Sequence, residues 1–211
     1  MPGTVTMEAK NLTIRRPRSV HGLPYIPLKR GRERRKIVPS PAVSPTEEKF
    51  EYNNESDGTA PCYGLVWLSQ TFTPQVSHNL LKIVLMGFEE GNPESDFIVS
   101  IRETDLDGKP TGDDLVVKSV LASSLPSYEA EFEMKFDTQI LLVAGTKYAI
   151  VCRCPDGNVE QRVTLITSSL NPYSRGENLY SEDGGGTWDL YGDYDYYGDY
   201  DFWFEEWGYR T

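Results

Sequence analysis

Tyr128–Phe136, YEAEFEMKF, and Ile140–Arg153, ILLVAGTKYAIVCR, are the stretches on which a reading of this chain turns. In the first, Tyr128, Ala130, Phe132, Met134 and Phe136 alternate with Glu129, Glu131, Glu133 and Lys135. A period of two marks a strand with one wet face and one buried face. Lys147–Arg153 is instead a nearly continuous β-rich run, the pattern of a central strand covered on both sides. Val143-Ala144-Gly145-Thr146 lies between them as a turn, so the two runs read as a hairpin. A lone hairpin is not stable in water, and a second sheet is needed to cover its apolar face.

Working outward, further strands fall on Tyr63–Thr73, Asn79–Phe88, Phe97–Glu103, Leu115–Leu121, Val159–Ser168 and Phe202–Tyr209. Gly, Pro, Asn and Asp clusters separate several of them (GNPESD, DLDGKPTGDD, CPDGN). Short strands at such spacing, without amphipathic helical patterns between, predict an all-β antiparallel sandwich over residues 59–211. Residues 1–58 read differently. Seven of the fourteen prolines precede residue 46, a density that defeats helix and sheet interiors alike. An extended N-terminal arm is predicted there.

Charge divides the chain in the same way. Residues 1–40 hold ten Lys/Arg against Glu8 and Glu33, a balance of +8, which leaves −19 on the remainder of a chain of net charge −11. The cations cluster at Arg15, Arg16 and Arg18, and at Lys29, Arg30, Arg32, Arg34, Arg35 and Lys36. A basic arm on an acidic body points to an acidic partner. Nucleic acid is disfavoured, because the clusters hold few rings for base stacking and the body repels a polyanion. An acidic protein lattice is the better fit. No apolar run has the length of a membrane span, and the N-terminus lacks the apolar core of a signal peptide.

Three cysteines are an odd set. Cys152 and Cys154 lie two apart on one strand and share a face, where a disulfide needs unusual backbone geometry. Buried thiols are the preferred reading, with a bridge from Cys62 to one of them as the alternative. His21 and His78 stand at no zinc spacing from the cysteines, and neither is linked by motif to a nucleophile. No enzymatic chemistry is expected.

The C-terminal third is the richest in motifs. Ser181-Glu182-Asp183-Gly184-Gly185-Gly186-Thr187-Trp188 has the Asp-box pattern. In it Asp183 accepts N–H groups across a tight turn, the glycines supply φ > 0, and Trp188 plugs the core. Residues 188–211 hold eleven of the 25 aromatics, and Gly192-Asp193-Tyr194-Asp195 recurs as Gly198-Asp199-Tyr200-Asp201. Tyr194, Tyr196, Tyr197 and Tyr200 supply rings to stack on sugars, a candidate glycan-binding set. Asp193, Asp195, Asp199 and Asp201 form a carboxylate cluster of the kind Ca²⁺ relieves, although a solvated loop is the simpler reading. Glu103–Gly108 imitates the start of a calcium loop, but Pro110 interrupts it and a hairpin turn explains Asp107-Gly108. No other cofactor is expected.

Gln70-Thr71-Phe72, Asp107–Gly112, Leu142–Tyr148, Asn171–Gly176, Ser181–Trp188 and Asp201–Phe204 stand in an order that resembles the jelly-roll sandwiches of choice-of-anchor-type surface proteins and of phage virion proteins. The resemblance runs from about Cys62 to Tyr209. It implies a jelly-roll-like β-sandwich that serves as an attachment or projection module. Combined with the arm, it leads to the expectation of a non-enzymatic virion structural protein. The arm would dock on a capsid or tail lattice of other virion proteins, and the sandwich would decorate or cement it, as a homo-oligomer. The alternative is a glycan-binding adhesion module that meets host surface sugars through the Tyr/Asp-rich loop.

Overall fold

The computed structural model describes residues 45–169, 172–191 and 200–211. In chain order the strands are β1 (Glu48–Asn53), β2 (Gly58–Cys62), β3 (Trp67–Phe72), β4 (His78–Glu90), β5 (Asp96–Thr104), β6 (Pro110–Leu121) and β7 (Ala130–Lys135). They continue as β8 (Leu141–Leu142), β9 (Tyr148–Arg153), β10 (Arg162–Ser168), β11 (Asn178–Ser181), β12 (Asp189–Leu190), β13 (Asp201–Phe202) and β14 (Phe204–Arg210). The helical content of the described residues is one 3₁₀ turn, Ala122–Ser124.

These strands form two antiparallel sheets. The six-stranded sheet runs β12-β11-β3-β9-β5-β6. The eight-stranded sheet runs β1-β14-β4-β10-β13, with β2 on β10 and with β7 and β8 on β4. Between the sheets lies the main core: Leu68, Phe72, Phe97, Ile101, Ile150 and Cys152 from one side, Ile83, Leu85, Leu165, Phe202 and Phe204 from the other. Each such side chain, taken fully from water, contributes roughly 1.5–3 kcal/mol. The all-β antiparallel sandwich expected from the strand spacing is the observed fold.

The expected hairpin is not. β7 pairs with β4, whereas β9 lies between β3 and β5 in the other sheet. The Val143–Thr146 turn, closed by the Thr146 N–H donating to the Val143 carbonyl at 3.1 Å, carries the chain from one sheet to the other. Local patterning gave each strand its character but not its partner, since cross-strand pairing is set by contacts distant in sequence. β9 has the predicted central character, with every residue but Arg153 buried. In the run around β7, Met134 and, just past the strand, Phe136 are buried as predicted, but Tyr128, ahead of the strand, is 71% exposed.

The sandwich also begins earlier than residue 59. β1 pairs with β14 along Glu48–Asn53, so it belongs to the sheet and not to an extended arm, and β2, which starts one residue before the expected boundary, pairs with β10. Their signal is disguised. On β1 the aromatic alternation of Phe50 and Tyr52 points to an aromatic inner face, yet the buried residues are Glu51 and Asn53 while Tyr52 is 52% exposed. The three cysteines are buried free thiols, and the Cys62 thiol donates to the Cys152 carbonyl oxygen at 3.4 Å, linking the two sheets.

Candidate ligand-binding cleft on the outer face of the six-stranded sheet

β3, β5 and β9 place Trp67, Arg153 and Ile98 in one row across the outer face of the sheet, with Thr71, Ala149 and Arg102 two rows along. Arginines inside otherwise apolar strands need a counter-charge, and both find it in Asp114 of β6. Arg102 Nε lies 2.7 Å from one carboxylate oxygen and Arg153 Nη2 lies 2.7 Å from the other. Burial alone pushes the Asp114 carboxyl up, but hydrogen bonds from the two guanidiniums and Ser100 outweigh it and leave the pKa lowered. The two guanidiniums also lie over the Trp67 ring, at 5.8 and 5.3 Å from its centroid. The Nε of Arg153 and the hydroxyl of Ser69 are buried with no hydrogen-bond partner among the described residues.

The Asp-box hairpin folds down on this face. Asp183 accepts the Thr187 N–H at 2.8 Å and the Thr187 hydroxyl at 2.9 Å, while the Ser181 oxygen accepts the Gly185 N–H at 2.8 Å. The Thr187 N–H, the Ser181 hydroxyl, which donates to Asp183 at 2.8 Å, and the Thr187 hydroxyl hold the Asp183 carboxyl down at about 2. Gly184 and Gly185 have φ of 73° and 88°. The Gly185 backbone comes so close to Trp67 that an added Cβ would sit 2.7 Å from its ring. Trp188 is buried as predicted, but not in the main core: it joins Ala149, Val151 and Leu179 in a second cluster on the outer face. Replacing Gly185 with alanine should therefore unseat the hairpin. The expected cost is about 1–3 kcal/mol from the disallowed backbone region alone, read as a lower midpoint of thermal unfolding together with altered tryptophan fluorescence.

Between this hairpin and the β5–β6 turn lies a cleft of about 400 Å³, within the range of about 300–1,000 Å³ typical of ligand sites. Gly185, Gly186, Thr187 and Trp188 form one wall, Asp105 and Lys109–Gly112 the other, and Arg102 also lines it. The β5–β6 turn is the hairpin expected at Asp107-Gly108. Asp105 accepts the N–H groups of Asp107 and Lys109 at 3.0 and 2.9 Å, and Gly108 has a φ of 81°. No group of three or more His, Cys, Asp or Glu placed to hold a metal occurs among the described residues.

The other predicted site residues are placed unevenly. Arg15, Arg16, Arg18, Lys29, Arg30, Arg32, Arg34, Arg35 and Lys36 lie outside the described residues, as do Tyr194, Tyr196 and Tyr197 and Asp193, Asp195 and Asp199. Tyr200 is half-buried, edge-on to Tyr191 at 5.5 Å between ring centroids, and Tyr191 meets Tyr180 in the same way at 5.8 Å. Asp201 is fully buried and accepts hydrogen bonds from Gln70 Nε2 at 2.8 Å and the Tyr173 N–H at 2.9 Å. The cleft residues Arg102 and Lys109, and the Asp114 and Trp67 that hold Arg102, were not singled out as site residues from the sequence. The available signal was an arginine ending each of two apolar strand runs, FIVSIR and YAIVCR.

His78 and the cysteines lie away from the cleft. His78 is buried on β4, stacked on Phe50 at 3.7 Å, with Nδ1 2.7 Å from the Val76 carbonyl and Nε2 2.8 Å from Glu206. Burial pushes all three thiols above their ordinary pKa, the reverse of what activates a nucleophilic cysteine.

No family model and no curated protein matches the chain. Among solved structures it is similar to a variant of the clostridial cysteine protease Cwp84 after propeptide cleavage, with a TM-score of 0.52 and 9% identity over 78% of this chain and 40% of that one. A second structure contains the cysteine protease and lectin-like domains of Cwp84, a surface layer associated protein of Clostridium difficile. There the TM-score is 0.46 at 9% identity, over 78% and 36% of the two chains, too loose to carry an argument. The chain thus spans less than half of either structure. At that identity the first likeness shows the fold, an antiparallel β-sandwich, and nothing of the chemistry.

Proposed function

We propose that this chain is a non-catalytic carbohydrate-binding module of an adhesion or surface protein. The observation that carries the reading is the cleft. It is concave, polar at its rim, and built on two turns that a rigid sheet holds in place. Lys109 and Arg102 bring ammonium and guanidinium donors to one opening, the Thr187 hydroxyl oxygen is left as an acceptor because its proton goes to Asp183, and Trp188 is among the lining residues. Sugars are bound by such donors beside aromatic carbon. The virion-lattice role expected from the basic arm gains no support from the fold or from the likeness. It rests on residues outside those described.

A blocking substitution tests the reading. Thr111 is exposed on the wall of the cleft, and Thr111→Trp should fill the opening without disturbing the core. The full chain should bind members of a glycan array, and the Thr111→Trp variant should lose that binding while keeping its unfolding midpoint. Tyr→Ala changes at 194, 196 and 197 should leave binding intact. A blank array would overturn the proposal, and loss of binding in the tyrosine variant alone would move the site to the loop.

A further inference from the structure

We infer that the cleft takes sugars bearing an anionic group, a uronate carboxylate or its sulfate equivalent, bound by Arg102 and Lys109; this rests on the carbohydrate-binding reading above. The body of the protein is strongly acidic, so an anion finds few places on it where it is not repelled. The cleft is such a place. Asp114 serves two guanidiniums, Arg102 and Arg153, so one positive charge in that trio is uncompensated. Lys109, on the facing wall, makes no ion pair among the described residues, as Lys135 on β7 also does not, whereas Lys49, Lys82, Lys118 and Lys147 do. Asp105 opposes them with one negative charge, and one of its oxygens already takes two backbone N–H groups of the turn. Of the residues that line the cleft, Arg102 and Lys109 are cationic and Asp105 is anionic, and the Asp183 carboxylate behind the wall is taken up by the Thr187 N–H and hydroxyl.

Geometry favours an anion on a ring over a bare ion. Asp114 and the Trp67 ring hold the Arg102 guanidinium, which is 15% exposed, so its planar fork is positioned before any ligand arrives. A planar fork meets a carboxylate or a sulfate through paired, charge-assisted hydrogen bonds. The cleft is far larger than such a group. Thr187 and the backbone at Gly185 and Gly186 lie along the opposite wall, where ring hydroxyls would fall.

The test uses the full chain titrated with tetragalacturonate, a hyaluronan tetrasaccharide, the carboxyl-reduced counterpart of each, and sodium sulfate. Indole N–H shifts and calorimetry provide the readouts. At least one acidic oligosaccharide should bind about tenfold or more tighter than its reduced counterpart, as expected for a charge-assisted hydrogen bond. That preference should weaken as salt is raised. Lys109→Ala, at a half-buried position of the turn, should abolish most of the preference without lowering the unfolding midpoint, whereas Arg102→Gln should abolish it and also lower the midpoint, because it breaks the pair with Asp114. Equal binding of acidic and reduced sugars would overturn the inference and leave the carbohydrate-binding reading standing. Sulfate binding as tightly as the acidic sugars would overturn it in favour of a bare anion site. No binding of any saccharide would overturn both readings.

Discussion

Replacing Glu206 with alanine should destabilise the sandwich by about 3–5 kcal/mol, the range for removing one partner of a buried ion pair. Glu206 is on β14 and fully buried, with one carboxylate oxygen 2.8 Å from His78 Nε2. The His78 Nδ1 proton is given to the Val76 carbonyl, so Nε2 faces the carboxylate. The two groups share one proton as a unit. Burial pushes the His78 pKa down, but the hydrogen bond and charge of Glu206, with the Val76 carbonyl and the charge of Glu51, outweigh it and raise it above 6.5. A raised histidine is protonated in both folded and unfolded chains below about 6.5, where its contribution is complete. As pH rises through the folded value that contribution is lost, so stability should fall on the alkaline side of neutrality. Glu206→Gln separates the two effects. Its amide can donate to neutral His78, so the variant should unfold less readily than Glu206→Ala. It should also show a flatter dependence above about pH 6.5 when urea unfolding is followed across pH. An unchanged alkaline slope in Glu206→Gln would refute the assignment.

The same cluster explains why part of the fold was hidden in the sequence. A period-two pattern reports which residues are apolar, and the rule that buried residues are apolar then selects the inner face. β9 and the buried end of β7 obey that rule, and the sandwich class followed from them. β1 and β14 invert it locally. Glu51 and Glu206 point inward because each finds partners distant in sequence: from loops, Glu51 accepts from the Tyr173 hydroxyl at 2.7 Å and the Gln75 N–H at 3.0 Å and pairs with Arg175, while Glu206 meets His78 of β4. Trp207 and Tyr52 turn outward, under the ammonium groups of Lys82 and Lys49. No local window contains those partners, so β1 reads as the end of an arm.

The cleft was partly legible. The Asp-box turn was readable in detail because its hydrogen bonds lie within eight residues, Ser181 to Trp188. Where the hairpin would land was not. Trp188 finds Ala149 and Val151 only after β9 is placed beside β3, and Arg102 and Arg153 converge on Asp114 only after β5, β6 and β9 are aligned. The acidic-aromatic segment drew attention by composition, yet its two described members serve the interior. Tyr200 packs against Tyr191, and Asp201 bonds to the chain's own polar groups.

That internal use of Asp201 leads to the second large effect. Asp201→Ala should cost about 2–6 kcal/mol, since it removes the acceptor of the Tyr173 N–H and of one Gln70 side-chain N–H, the Gln70 nitrogen keeping only its bond to the Thr71 carbonyl, and each orphaned buried donor costs roughly 1–3 kcal/mol. Gln70 is itself fully buried, and its oxygen accepts the Phe202 N–H at 2.7 Å. Gln70 therefore ties β3 of one sheet to β13 of the other, and Asp201 fixes which way its amide faces. Asp201→Asn should not restore stability fully, because the new amide nitrogen sets a donor against one of the two donors already there. Gln70→Glu should fail as well, placing a second carboxylate against Asp201. Urea unfolding of the three variants checks this. The wild-type midpoint should be the same in calcium and in EGTA if Asp201 works through Gln70 and Tyr173. A calcium-dependent midpoint that disappears in Asp201→Ala would instead make this carboxylate a metal ligand.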